Sequence, residues 1–233
     1  PTNDQVWGYD LYVLASDSQS GLGLPFTLSV ANTNDAPIDI IGNLRPIPEF
    51  VGPGVSVGVL GGIDPDVDTL SYSLVNDAGG RFAIDAATGR VTVANPALLN
   101  FEAANSHVIR VRVTDTSGLS FEEDFAIAIT DVAETPDSLT RVSGGIVAEN
   151  AANGTIVAQL VGTDPDVGSI LRYSLVNDAG GRFAIDPVTG VVIVANGAAL
   201  DFEASPSHTI EARVTDAGGY WFDQSFSIML TDV

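Results

Sequence analysis

Apolar and polar residues alternate with a period of two along much of the chain. Ile109, Val111 and Val113 are separated by Arg110 and Arg112; further on, Ile210, Ala212 and Val214 are separated by Glu211 and Arg213. Phe125, Ile127 and Ile129 repeat the pattern, as do Phe226, Ile228 and Leu230. Such alternation turns one face to a core and the other to water, which marks half-buried antiparallel strands. Glycine-rich stretches such as Ala78-Gly79-Gly80 and Ala87-Thr88-Gly89 break the chain into short runs. No long stretch carries the 3.6-residue period of a helix. Several short strands within about 100 residues predict an all-β chain built from immunoglobulin-like Greek-key sandwiches.

The pattern occurs twice. Tyr72 to Asp85 reads YSLVNDAGGRFAID, and Tyr173 to Asp186 repeats it without a change. The same offset maps Glu102 onto Glu203, Asp115 onto Asp216 and Asp131 onto Asp232. Upstream the offset is one residue shorter, mapping Glu49 onto Glu149 and Asp64-Pro65-Asp66 onto Asp164-Pro165-Asp166. One residue is therefore inserted just after the second Asp-Pro-Asp. Internal repetition at this period means tandem domains. The expected division is a repeat with its linker over 38–136 and a second repeat over 137–233. Residues 1–37 read as the tail of a preceding domain, with its last two strands at Tyr9–Ser16 and Pro25–Val30. The chain opens without methionine and closes on Thr231-Asp232-Val233, the tripeptide also found at 130–132. It is expected to be a piece of a longer chain.

Charge narrows the choice of partners. Thirty acids stand against nine basic residues, a formal net charge of −21. That balance argues against nucleic acid and anionic membranes, which attract basic surfaces. All nine basic residues are arginines, so lysine isopeptide cross-links are excluded. Cysteine is absent, which removes disulfides and thiolate metal sites. An extracellular chain of this kind needs another staple. No apolar run reaches the ~18 residues of a membrane span.

The acids are placed, not scattered. Glu49, Asp64, Asp66, Glu102 and Asp115 recur as Glu149, Asp164, Asp166, Glu203 and Asp216, all in loops between expected strands. Loop carboxylates at the ends of a sandwich suit calcium, which takes six to eight oxygens in flexible geometry. Two carboxylates about 5 Å apart repel by roughly 3 kcal/mol at an effective dielectric of 20. A cluster of five or more is costly without a cation. An EF-hand reading of Asp64-x-Asp66-x-Asp68 fails, because Thr69 stands where the loop glycine belongs and Val75 where its last glutamate belongs.

Taken in order, Ala148-Glu149-Asn150, Asp164-Pro165-Asp166, Leu200-Asp201-Phe202-Glu203 and Val214-Thr215-Asp216-Ala217-Gly218 form a recognisable set, with Asn34-Asp35-Ala36-Pro37 as a linker. This set resembles bacterial cadherin-like tandem repeats of RTX-type adhesins. Residues 1–37 resemble the end of a dystroglycan-type cadherin-like domain. The resemblance implies Ca2+ between successive domains, held from both sides of each linker. At the linker after the first repeat it implies Glu49, Asn100 and Glu102 upstream, and Asp131, Glu134 and the Val132 carbonyl in the linker. Downstream it implies Asp164, Asp166 and Asp216. The earlier linker would use Asn32, Asn34 and Asp35 with Asp64, Asp66 and Asp115. Glu149, Asp201 and Glu203, with Asp232, would form half of a further site. The sequence departs from the pattern at Phe50, where the second repeat has Asn150, and at Asn100, where it has Asp201. Ala133-Glu134-Thr135 also replaces the family's Asn-Asp-Asn, which fits two ions at this linker in place of three.

The resulting expectation is a calcium-rigidified structural and adhesion module, extracellular or at a cell surface, of a large bacterial adhesin that serves cell adhesion and biofilm formation. Its partners are neighbouring repeats of the same chain and other cell-surface proteins or polysaccharides. Two alternatives stand beside it. Trp221, flanked by Tyr220 and Phe222, suggests a carbohydrate-binding module that stacks sugars. Residues 1–37, joined to a neighbouring subunit, suggest a building block of a surface filament. No catalytic constellation is expected, since each recurrent acid is accounted for by calcium. His107 and His208 occupy equivalent positions in separate repeats and are expected to have a packing or surface role, not to bind metal. Trp7 lies in the domain remnant and is given no role.

Overall fold

The computed structural model describes residues 8–16, 21–29 and 32–233, with side chains from residue 32 onward. The chain divides into two compact units, residues 1–131 and 132–233. The first unit begins with a two-stranded antiparallel sheet, β1 (Gly8–Ser16) and β2 (Gly21–Ser29). The expected second strand began only at Pro25; the observed one starts at Gly21. Pairing runs unbroken from Gly8↔Ser29 to Ser16↔Gly21, and Pro25 sits opposite Tyr12. Proline is tolerated there because the far side of a two-stranded ribbon needs no N–H from it. Val30 and Trp7 lie outside the described residues.

The rest of the first unit is a sandwich. One sheet has the order β3 (Asp39–Gly42), β5 (Ser56–Ile63), β8 (Arg90–Val93) and β7 (Phe82–Ile84). The other has the order β4 (Ile47–Pro48), β10 (Ser120–Thr130), β9 (Ser106–Thr114) and β6 (Ser71–Asn76). The alternation read from the sequence lands on β9 and β10: Ile109, Val111, Val113, Ile127 and Ile129 are buried, and Arg110 and Arg112 are exposed. The second unit repeats the scheme. β11 (Ser138–Gly144), β13 (Ile156–Thr163), β16 (Val191–Val194) and β15 (Phe183–Ile185) make one sheet. β12 (Ile146–Ala148), β18 (Trp221–Thr231), β17 (Ser207–Thr215) and β14 (Arg172–Asn177) make the other. The first strand of each unit's second sheet, β4 or β12, pairs in parallel with the last strand. That pairing brings the start of each sandwich beside its end.

Each core is one apolar cluster drawn from both sheets. Leu99 and Leu200 are fully buried just past short 3-10 turns at Pro96–Leu98 and Gly197–Ala199. Burying a side chain of this size contributes roughly 1.5–3 kcal/mol. The sheets are also pinned by a polar contact: the Gly62 N–H donates to the Tyr72 hydroxyl at 3.0 Å, and the Gly162 N–H to that of Tyr173 at 3.1 Å. A Cβ at Gly62 would meet Leu70 Cδ1 at 2.4 Å, so a larger residue there would require the Leu70 side chain to shift.

The repeated YSLVNDAGGRFAID stretch is a fixed turn. Ala78 and Ala179 take left-handed backbones, with φ of 57° and 58°. The Arg81 guanidinium donates to the carbonyls of Ala78 and Leu98, and Arg182 does the same to Ala179 and Ala199. Beside each turn a histidine packs on a core phenylalanine, His107 on Phe82 with ring centroids 6.4 Å apart and His208 on Phe183 at 6.3 Å. Each imidazole has a buried Nε2 without a hydrogen-bond partner. Burial first, and then the nearby Arg81 or Arg182, holds each histidine below its ordinary value of 6.5.

A lowered folded value means that the unfolded chain takes up these protons first. The contribution is complete above 6.5 and is lost as pH falls from there toward the folded value. Unfolding free energy measured by denaturant titration is therefore expected to drop between pH 7.5 and 5.5. In the His107→Gln/His208→Gln variant that drop shrinks, since ordinary carboxylates titrate below this window.

Candidate calcium sites

Carboxylates gather at the ends of the sandwiches because three loop types converge there. In the first unit the Glu49 N–H donates to the Thr130 carbonyl at 3.2 Å, which ties the segment after β4 to the end of β10. Its carboxylate accepts the Phe101 N–H at 2.8 Å and is buried, with 2% exposure. Glu49, Glu102 and Asp131 each bring an oxygen within 4.8 Å of the others. Asn100 does not present its side-chain oxygen freely: Oδ1 accepts the Ala103 N–H at 2.6 Å and closes the turn.

The same construction recurs at the far end of the second unit. The Glu149 N–H donates to the Thr231 carbonyl, and its carboxylate accepts from the Phe202 and Val233 N–H groups. Glu149, Asp201 and Glu203 share one cluster. Asp201 also accepts the Ala204 N–H, which is the turn contact seen at Asn100.

At the opposite end of the second unit, Asp164, Asp166 and Asp216 form another cluster. Asp164 accepts the Asp166 N–H at 2.9 Å through Oδ1, and Asp166 accepts the Glu134 N–H at 3.0 Å through Oδ2. Asp216 is buried and accepts the Tyr220 N–H at 2.8 Å. Val132 is exposed at the start of this unit. Desolvation, and then the charges of Asp166 and Asp216, raises Asp164 above the usual carboxylate value of 3.8 despite hydrogen bonds from the Asp166 N–H and the Ser169 side chain. This site holds more negative charge than its protein neighbours offset.

Asp64, Asp66 and Asp115 occupy the matching end of the first unit, where the linker residues meet them directly. The Asn32 side-chain amide donates to Asp66, and the Asp35 N–H donates to Asp66 Oδ2 at 2.6 Å. The Asn34 amide donates at 2.8 Å to both Asp115 and the Ser117 hydroxyl. Asp115 is buried, which opposes its charge. Bonds from Asn34, the Ser117 hydroxyl and the Leu119 and Ser117 N–H groups outweigh burial and hold its carboxyl below 3.8. Ser117 was not among the residues expected from sequence. Its only signal was position, two residues after a recurrent aspartate.

The donor set fits a hard cation. Every grouped ligand is a carboxylate, and no thiolate or imidazole is present among them. Asp64 Oδ2, Glu102 Oε2, Asp164 Oδ2 and Asp166 Oδ1 are buried without a hydrogen-bond partner. Buried carboxylate oxygens of this kind are costly unless a cation meets them. Calcium, with six to eight oxygen ligands, suits loop acids of this number and spacing.

Two unforeseen backbone features flank the sites. Phe50 and Asn150 follow the buried glutamates with φ of 55° and 52°. Asparagine accepts this left-handed conformation and phenylalanine resists it, so the difference between the repeats is one of strain. After the Asp-Pro-Asp turns, the left-handed position falls at Val67 (φ 60°) in the first repeat and at Gly168 (φ 84°) in the second. The inserted residue lets glycine take that conformation.

Comparison with known proteins agrees with this geometry. The model of the cadherin domain matches residues 45–129 and 145–228. The chain belongs to the cadherin-domain family. Cadherin-related family member 1 of Gallus gallus is 31% identical over 172 residues, covering 71% of this chain and 19% of its own length. Protocadherin Fat 2 of Rattus norvegicus is 29% identical over 226 residues, covering 92% of this chain and 5% of its own. The chain thus spans a fifth or less of these relatives. Among solved structures, protocadherin gamma B2 extracellular cadherin domains 3-6 superpose with a TM-score of 0.79 at 19% identity, covering 98% of this chain and 58% of that one. Mouse cadherin-23 EC22-24 gives 0.64 at 24% identity, covering 82% and 62%. The relatives named here are animal proteins.

Phe50 is 60% exposed, so replacing it removes strain without opening the core. Phe50→Asn is expected to stabilise the first repeat by about 1 kcal/mol and to raise its melting temperature by roughly 4–8 °C. Differential scanning calorimetry checks this.

Proposed function

We propose that this chain is a calcium-rigidified extracellular adhesion module cut from a larger surface or secreted protein. The observation that carries the reading is the set of buried carboxylate oxygens without partners at Asp64, Glu102, Asp164 and Asp166. The family supports the adhesive role, because cadherin domains are adhesion modules and extracellular. It also argues against an enzyme. By motif, Glu49, Asn100, Glu102, Asp131, Glu134, the Val132 carbonyl, Asp164, Asp166 and Asp216 supply calcium at one linker. Asn32, Asn34, Asp35, Asp64, Asp66 and Asp115 supply it at the other. Glu149, Asp201 and Glu203 await a following domain.

Amide groups and carboxylates already converge at the first of these linkers. Asn32 and Asn34 donate N–H groups to Asp66 and Asp115. Turning either amide about its last bond exchanges nitrogen for oxygen and converts a donor into a ligand. The domain division 38–136 and 137–233 is proposed on the repeat boundaries, and the affiliation with bacterial RTX-type adhesins and biofilm on the ordered motif set.

Calcium at about a hundredfold excess over its dissociation constant contributes about 2.7 kcal/mol per site. Removing it with chelator is expected to lower the melting temperature. Asp164→Asn relieves like-charge repulsion, so without calcium the variant should melt at or above the wild type, while its calcium-dependent rise shrinks. A variant that keeps the full rise would remove Asp164 from the ligand set. Small-angle scattering tests rigidification: the maximum particle dimension should lengthen and its distribution narrow in calcium relative to chelator. An unchanged profile would overturn the stiffening role.

A carbohydrate-binding reading has one observation in its favour. Trp221 is 53% exposed, with the Arg213 guanidinium 4.8 Å from the centre of its ring. Arg213 is itself paired with Asp223 at 2.7 Å, which orients the guanidinium beside the ring. Polysaccharide retention that is lost in Trp221→Ala would favour this role.

A further inference from the structure

One turn of the second repeat carries a modification motif that the first repeat lacks. Asn153-Gly154-Thr155, between β12 and β13, has the N-x-S/T spacing of an acceptor for sugar on asparagine nitrogen. No other asparagine in the chain is followed at that spacing by serine or threonine. The matching turn between β4 and β5 reads Pro53-Gly54-Val55. Its backbone is the same. Gly54 and Gly154 have φ of 78° and 87°, and their N–H groups donate to the Val93 and Val194 carbonyls, both at 2.8 Å. The carbonyls of Val55 and Thr155 accept from the Val93 and Val194 N–H groups, both at 2.9 Å. The turn thus closes equally well with proline and valine in place of Asn153 and Thr155.

Asn153 has one structural task, and it uses only the oxygen. Oδ1 accepts the Gly197 N–H at 2.8 Å. The first repeat has Pro96 at that position, which offers no N–H, so Pro53 suffices opposite it. An N–H can meet the amide oxygen and not the amide nitrogen, so this bond sets the direction of the side chain. Nδ2 is left without a partner among the described residues, and Asn153, Gly154 and Thr155 are all exposed. Room for a bulky substituent is open, since a Cβ on Gly154 would meet nothing within 4 Å. The amide is also protected. In an Asn-Gly step the glycine nitrogen can attack the asparagine amide and expel ammonia, but here that N–H is held by Val194.

From the motif, the free Nδ2 and the open turn we infer that Asn153 is a glycan acceptor, modified by a saccharide activated at its anomeric carbon as a diphosphate ester. In that transfer Nδ2 bonds to the anomeric carbon and the bond from that carbon to the diphosphate oxygen breaks. The electron pair leaves with the diphosphate, and one amide proton passes to a base of the transferase. Thr155 supplies the hydroxyl that the acceptor pattern requires. The turn leads directly into Ile156, which is 70% exposed where the first repeat has Ser56. A hydrated saccharide at Asn153 gives that apolar residue a polar neighbour. Asn153 belongs to none of the carboxylate groups, so the inference stands apart from calcium binding.

Intact-mass spectrometry of the full chain, produced in two hosts, tests it. One host secretes the chain past a transferase that uses lipid-diphosphate oligosaccharides. The other supplies a cytosolic transferase that uses a nucleoside-diphosphate hexose. The expected result is a saccharide mass increment in at least one host, mapped by peptide fragmentation to Asn153, and the host that shows it identifies the donor. Asn153→Asp keeps an oxygen for the Gly197 N–H and should lose the increment without a change in melting temperature. Thr155→Val, which installs the residue of the first repeat, should lose it as well, and Thr155→Ser should retain it. A wild type that is unmodified in both hosts overturns the inference, as does an increment that survives in Asn153→Asp.

Discussion

Carboxylates held close together at the ends of the sandwiches govern this structure. Desolvation and the neighbouring charges of Asp166 and Asp216 push Asp164 upward, and the remaining oxygens of Asp64, Glu102 and Asp166 are buried without hydrogen-bond partners. Five of the nine arginines are engaged elsewhere. Arg81 and Arg182 hold the repeated turns. Arg110, Arg112 and Arg213 pair with Asp124, Glu122 and Asp223 on strand faces. Exposed pairs of that kind contribute little, about 0–1 kcal/mol each. Folding therefore depends on the apolar cores, and the strand ends are left with charge to be met from solution.

The backbone prepares this arrangement in a consistent way. The parallel pairing of β4 with β10, and of β12 with β18, carries Glu49 and Glu149 to the ends of their own last strands. Asp115 and Asp216 sit at the opposite end, where β9 and β17 run into their turns. Each sandwich thus places one acidic group at either end. The helical alternative has no such economy: a strand sandwich brings loops from distant sequence positions together at two poles. The stretch from Tyr72 to Asp85, identical in both repeats, contributes no carboxylate to these groups. It serves the core through Phe82 and its arginine clamp.

Much of this was legible because it is local. Alternation in β9 and β10 follows from one face packing and the other meeting water, so Ile109 to Val113 could be read directly. Repetition, at an offset that changes by one residue after the Asp-Pro-Asp, identified Glu49 with Glu149 and Asp115 with Asp216, and the structure places each pair equivalently. Less legible were features set by backbone conformation. The left-handed φ at Phe50 has no signal in that residue and was visible only through Asn150. The strand expected from Pro25 begins at Gly21 instead, where Gly21 to Leu24 pair with Val13 to Ser16.

The sequence by itself determined the class of fold, the repeat and the list of acids, since periodicity and spacing depend only on chain chemistry. Tertiary structure alone decided what each acid does within its repeat. Asn100 closes a turn through its Oδ1, Asp115 is caged by Ser117, Leu119 and Asn34, and Asp164 keeps a buried oxygen without a partner. The physical reason is that a carboxylate's cost and use depend on how many N–H groups and water molecules reach it. Some of those neighbours are local, as Ser117 and Leu119 are to Asp115; others, such as Asn34 at Asp115 and Phe101 at Glu49, come from segments dozens of residues away that only the folded chain brings together.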